Sequence, residues 1–153
     1  MKVKEKQMDL HGFLRPEVLP VREKEVVISE RFPGDDGKPA AFKLRGISEE
    51  ENAAIRRSCQ KKGGALDAPA LDRDRYLRRF AAACVVYPDL KDGELQASWG
   101  VMGEDMLLGK MLTAGEFARL LASAQEVCGF IRADEAGKVK DELKNASGGE
   151  TGN

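Results

Sequence analysis

Histidine is nearly absent from this chain: His11 is the single copy in 153 residues, and it lies in a polar stretch before Gly12. General acid–base catalysis and nucleophile activation draw most often on histidine, and His11 has no obvious partner. Cysteine is scarce as well. Cys59, Cys84 and Cys128 are odd in number and far apart, with no CxxC or HxxxH neighbour. That pattern excludes a disulfide framework and a structural zinc site; the three thiols read as reduced and buried on helix faces. No apolar run approaches the ~20 residues that cross a bilayer. The basic start, Met1 to Lys6, has no apolar run behind it, so no secretory leader is expected and the chain reads as soluble and cytoplasmic. A dominant charge is missing too. Lys+Arg number 25 against Asp+Glu 26, so nothing global draws the chain to nucleic acid or membrane.

Phosphate loops are missing in the same way. Gly63-Gly64 follows a predicted helix and precedes a loop, whereas a phosphate cradle follows a strand and opens a helix. The adjacent acids Asp35-Asp36 and Glu104-Asp105 read as a turn and a helix start. With no convergent polar group, neither an enzyme nor a metal or cofactor site is expected.

What is present suffices for one domain. The fold class expected is α+β, mostly helical: an antiparallel β-hairpin near the N-terminus packed on four or five short helices, with a disordered C-terminal tail. Residues 1–22, broken by Pro16 and Pro20, form an arm lying across the domain, with one apolar cluster at Phe13-Leu14 and Val18-Leu19. Residues 23–131 form the folded body. Its hairpin, 23–47, pairs Glu25 to Phe32, rich in β-branched residues, with Phe42-Lys43-Leu44-Arg45, which alternates with period two. Pro33-Gly34-Asp35-Asp36-Gly37-Lys38-Pro39 makes a long, mobile tip.

Helices occupy 48–131. Ser48, with Glu51 three positions on, makes a capping box for a helix running to about Lys62. Asp72 caps a second, whose apolar stripe is Tyr76, Leu77, Phe80, Ala81 and Cys84; it runs to Tyr87-Pro88. Short helices follow at Gly93 to Ser98 and Glu104 to Met111. Thr113 and Glu116 form another capping box, opening the strongest helix, with Phe117, Leu120, Leu121, Ala124 and Cys128 in one stripe. Residues 132–153 read as a flexible tail with room for a lone helix over 133–145.

Charge segregates locally. Residues 56–79 hold eight bases against three acids, a net of +5, and 89–116 hold six acids against two lysines, a net of −4. Two solvated faces pairing inside the fold is the leading reading. A patch for an acidic partner protein is a second. A small nucleic-acid-binding regulator using 56–79 is the alternative function, although such a domain is usually basic throughout. The single tryptophan, Trp99, sits between broken helices beside Gly100, Val101 and Met102, with Met106 close by. A residue that buries roughly 150–250 Å² is normally a core anchor, yet methionine-rich surfaces also repack around varied partners.

Several stretches, taken in order, resemble one family. They are Ser29-Glu30-Arg31-Phe32 with Asp36-Gly37-Lys38-Pro39, and Ile47-Ser48-Glu49-Glu50-Glu51-Asn52. Then come Tyr87-Pro88-Asp89-Leu90-Lys91-Asp92 with Glu94-Leu95-Gln96, and Trp99-Gly100-Val101-Met102-Gly103. Last are Met111-Leu112-Thr113-Ala114-Gly115-Glu116-Phe117 and Gly129-Phe130. Between about Phe13 and Phe130 this set is similar to the XkdN-like bacteriophage tail assembly chaperones of phages and phage-like prophage elements. The resemblance implies a protein of the bacterial host cytoplasm that binds the tape-measure protein, a long helical chain. It implies that the chain keeps that client soluble while tail tube protein polymerises around it, and is absent from the mature virion. Tail tube protein is a second implied partner, and self-association is open. A client helix would lie in an apolar groove, expected between the broken-helix region and the helix after Thr113. Trp99, Met102, Met106 and Phe130 are the candidate partner-binding residues.

Overall fold

Phe42-Lys43-Leu44-Arg45 is the hinge of the architecture, because its period-two alternation sends Phe42 and Leu44 into the core and Lys43 and Arg45 outward. In the computed structural model, which describes residues 9–61 and 70–131, this strand, β2 (Phe42–Arg45), lies in the middle of a three-stranded antiparallel sheet. On one side it pairs with β1 (Glu23–Val26), Val26 opposite Phe42 and Lys24 opposite Leu44. On the other it pairs with a strand from after the second helix.

The first strand is therefore shorter and earlier than the stretch Glu25 to Phe32 suggests. Beyond Val26 the backbone leaves the ladder because side chains meet its polar groups. Arg119 donates to the Ile28 carbonyl at 3.3 Å, and the Ser29 hydroxyl accepts the Arg31 amide at 3.0 Å. Ile28 still points into the core. The turn between the strands is closed by its own bonds: the Gly34 amide donates to the Lys38 carbonyl at 2.8 Å, and the Ala40 amide to that of Phe32 at 2.7 Å.

Helix α1 (Glu49–Ser58) starts where Ser48 accepts the Glu51 amide at 3.1 Å. The Glu51 carboxylate takes two hydrogen bonds from Arg45, at 2.9 and 3.2 Å, pinning the helix start to β2. The helix ends at Ser58, short of Lys62, because Cys59 leads into β3 (Gln60–Lys61), which pairs with β4 (Ala70–Leu71). The Gly63-Gly64 stop expected by sequence lies outside the described residues, as do the tail 132–153 and its lone helix.

Asp72 accepts the Arg75 amide and opens α2 (Arg73–Cys84). This helix too is shorter than expected. Val85 and Val86 are β-branched and poor helix formers, and Pro88 forces Tyr87 toward extended geometry. The chain accordingly leaves the helix at Cys84 and forms β5 (Val85–Tyr87), the third strand of the sheet. Then come α3 (Gly93–Ser98), α4 (Glu104–Met111) and α5 (Ala114–Val127), at the positions expected from sequence. Five α-helices and the small sheet among the described residues make the α+β class explicit.

The main core gathers Ile28, Phe42, Leu44, Ala81, Leu107, Leu108 and Leu120 between sheet and helices. A smaller cluster joins Phe80, Cys84 and Ala124, with Ile47, Tyr76 and Cys128 against it. The described part of the arm, from Asp9, contributes little. Two 3-10 turns, His11–Phe13 and Arg15–Glu17, carry it, and Leu10, Phe13, Leu14, Val18, Leu19 and Val21 all stay exposed.

Candidate functional site

The region between α2 and α4 is built around a single amide side chain. Gln96 donates to the Leu90 carbonyl at 2.8 Å and accepts the Gly103 amide at 3.1 Å. One side chain thus ties both ends of the glycine-interrupted segment. Gly100 and Gly103 hold φ of 68° and 115°, left-handed geometry that a side chain resists, and the two turns lift Met102 out of the fold. Met102 is 91% exposed and Met106 55% exposed.

Met102 stands on the rim of a cavity of about 490 Å³. Ile55 of α1 and Arg79, Ala82 and Ala83 of α2 line one side, and Lys91, Gln96, Gly103, Glu104 and Asp105 the other. Ala82 is buried, and the rim carries opposed charges. Arg79 lies 3.8 Å from Asp105 and Lys91 3.9 Å from Glu104, distances too long for tight ion pairs. Such an opening has apolar ground for a greasy side chain and adjustable polar edges for its flanks.

The four candidate residues separate. Met102 and Met106 share this region: Met102 lines the cavity, and Met106 lies just beyond Gly103 at the start of α4. Trp99 caps the end of α3 and is half-buried against the main core. Phe130 lies elsewhere. Its ring meets Phe80 edge-on at 5.7 Å, and it lines a smaller cavity of about 280 Å³ with Ile47, Ser48, Glu49, Asn52, Cys128 and Gly129. The larger cavity is lined from α1, α2 and the segment from Lys91 to Asp105, and no residue of the helix after Thr113 lines it.

Sequence reasoning passed over Gln96, Ile55 and the Ala82-Ala83 floor. Small and neutral residues give no periodic signal of a cavity; the one clue was Gln96, which lies three residues before Trp99 in a broken segment. His11 lies 3.5 Å from Glu17 on the exposed arm, remote in character from any cavity.

Among the described residues one ion pair joins the two charged segments. The basic helix α2 packs on the acidic helix α4, bringing Arg79 toward Asp105 and the Arg78 stem against Gly109. Arg56 binds Glu49 on its own helix, and Arg79 also donates to the Ser58 hydroxyl at 2.8 Å.

Comparison with known proteins agrees with this architecture. The uncharacterized protein YqbN of Bacillus subtilis (strain 168) is 28% identical over 148 residues, covering 94% of this chain and 98% of its own length. The protein XkdN of the phage-like element PBSX in the same organism is 28% identical over 145 residues, covering 90% and 94%. The crystal structure of YqbN superposes with a TM-score of 0.70 at 27% identity, covering 82% of this chain and all of the other. The family model described as phage XkdN-like tail assembly chaperone protein matches residues 10–144. By that match over most of its length, this chain belongs to the XkdN-like family of phage tail assembly chaperones.

Proposed function

We propose that the protein binds the tape-measure protein of its phage or prophage, keeps that long chain soluble while tail tube protein assembles around it, and leaves before the virion is complete. It acts in the cytoplasm of the bacterial host and performs no chemistry of its own. Within a tail assembly chaperone family, the observation that carries this reading is Met102. It is 91% exposed on a glycine-framed turn at the rim of an alanine-floored cavity. A flexible thioether in that position repacks around varied apolar side chains, as a holding chaperone requires. Weak contacts of this kind gain strength from many copies along one client.

Met102 and Met106 are the proposed contacts, with Trp99 setting the shape of the turn that presents Met102 and Phe130 offering a second apolar point. Co-expression with the tape-measure protein of the same phage or prophage tests the reading: the soluble fraction of the client should rise with this chain present. Replacing Met102 and Met106 together by Asp should abolish that rise while the circular dichroism spectrum stays unchanged. A client that precipitates equally with and without the wild-type chain overturns the proposal.

Nucleic-acid binding through 56–79 has less support, because Arg56 and Arg79 are engaged by Glu49 and Ser58 within the fold.

A further inference from the structure

Cys84 ends α2 and Cys128 follows the last residue of α5, 44 positions on, yet their Sγ atoms lie 3.5 Å apart. Two sulfurs in contact across two helices are an arrangement that three scattered cysteines do not announce. Their surroundings differ. Cys84 is wholly buried beside Phe80 and Ala124. Cys128 is partly exposed and lines the smaller cavity with Ile47, Asn52 and Phe130. Cys59 is buried apart from both, with its sulfur near the Ser58 hydroxyl.

We infer that Cys84 and Cys128 are a reversible dithiol in which Cys128 is modified by a small-molecule disulfide entering the smaller cavity and Cys84 resolves the adduct. The steps are ordinary thiol–disulfide exchange. The Cys128 thiolate attacks one sulfur of RS–SR, forming a Cys128–S–SR bond and expelling RS⁻. The expelled RS⁻ takes the Cys84 proton, and the Cys84 sulfur attacks Cys128 Sγ, breaking the bond to SR and expelling a second RS⁻. Two protein thiols are oxidised by two electrons, and the small disulfide is reduced to two thiols. The product ties the end of α2 to the end of α5 beneath Phe130.

The order of attack follows from the environment. The hydrogen bond from the Cys84 thiol lowers the Cys128 pKa to about 7 against the opposing effect of burial, and the Ile47 amide and Arg45 help while Glu51 opposes. The same contact, together with burial, pushes Cys84 up. Cys128 is the thiol that the cavity exposes, and the contact with Cys84 shifts it toward the thiolate, the combination that makes a cysteine reactive. The proposal is independent of client binding.

Glutathione disulfide is the probe, added to the full-length folded protein after prior reduction. The expected product has lost two of its three titratable thiols, retains no glutathione, and yields one cross-linked peptide joining Cys84 to Cys128. Its thermal midpoint should rise by several degrees, as closure of a long loop predicts. Cys84→Ala should hold one glutathione as a stable adduct on Cys128, and Cys128→Ala should take up none. The inference is overturned if the wild-type chain keeps three free thiols while a control dithiol oxidises, if it retains glutathione on Cys128, or if Cys59 enters the cross-link. Should Cys84→Ala fail to fold, the wild-type peptide map and Cys128→Ala decide the matter.

Discussion

The start of α5 and the segment after β1 meet on the carboxylate of Glu116. It accepts the Thr113 amide at 2.8 Å, closing the capping box of α5, and it accepts Arg31, whose Nε lies 2.9 Å away. Arg31 also donates to the Met111 carbonyl at 2.8 Å and lies 5.2 Å over the Phe32 ring. The Arg31 hydrogen bond, opposed by desolvation, holds the Glu116 carboxyl well below the usual carboxylate range. Glu49 and Glu51 shift the same way, under hydrogen bonds from Arg56 and Arg45. A pKa depressed by folding adds stability that is fully present above the unfolded value of about 4.3 and is lost as pH falls toward the folded value. Urea midpoints should therefore hold steady near neutrality and drop below about pH 4.5. Glu116→Gln keeps the capping geometry but loses the charge-assisted bonds from Arg31, and should cost about 1 kcal/mol or more at pH 7 while lying closer to wild type at pH 3. An equal gap at both pH values would show that the carboxylate charge contributes nothing. Trp99 and Met102, three residues apart, should behave oppositely in the same assay. Trp99→Ala loses packing against the core and should cost about 2 kcal/mol, below the ~3–5 of a fully buried aromatic. Met102→Ala should stay within about 0.5 kcal/mol.

Elements with strong local punctuation were legible in the sequence. Asp72, whose side chain accepts the Arg75 amide at 3.3 Å, starts α2, and Thr113 with Glu116 starts α5, so both helices begin where their caps say. The strands were less so, because a strand of three or four residues is decided by its partner. Val85-Val86-Tyr87 follows the apolar stripe of α2 in sequence; its β-branched pair and Pro88 end the helix, and the open edge of β2 takes the segment up as β5. The Gln60–Lys61 and Ala70–Leu71 pair has no apolar alternation at all. The candidate site was half legible for the same reason: exposed methionines between glycines could be named, but one wall of the cavity that Met102 borders comes from α1 and α2, distant in sequence. Gly46 was missed altogether. A Cβ there would meet the Val127 carbonyl oxygen at 3.0 Å, so β2 and the end of α5 approach backbone to backbone. Gly46→Ala should cost about 1–3 kcal/mol, and Leu44→Ala, emptying the centre of the sheet, about 2–5 kcal/mol. Urea titration checks both. A near-neutral Leu44→Ala would mean that the sheet is not the element the helices pack on.

At the scale of the whole molecule, net neutrality comes from segments of opposite charge set against one another. The basic helix α2 lies on α4, which opens on Glu104 and Asp105, with Arg79 3.8 Å from Asp105. A surface arranged this way has little long-range field to steer a highly charged ligand, and its exposed apolar points, Met102 and Met106, carry no charge. The two functional readings therefore separate on salt. Contacts made by burying apolar surface respond weakly to ionic strength, so the affinity for a tape-measure segment should change by less than about tenfold between 50 and 200 mM NaCl. A protein that instead neutralises six or more phosphates of a duplex loses about 10³–10⁵ over the same interval. Fluorescence anisotropy with a labelled client segment and with a labelled duplex measures both on one sample. The client should bind with a shallow salt slope and the duplex not at all at 200 mM. A steep slope on the duplex with no binding of the client would move function from the methionine turn to the arginines of α2.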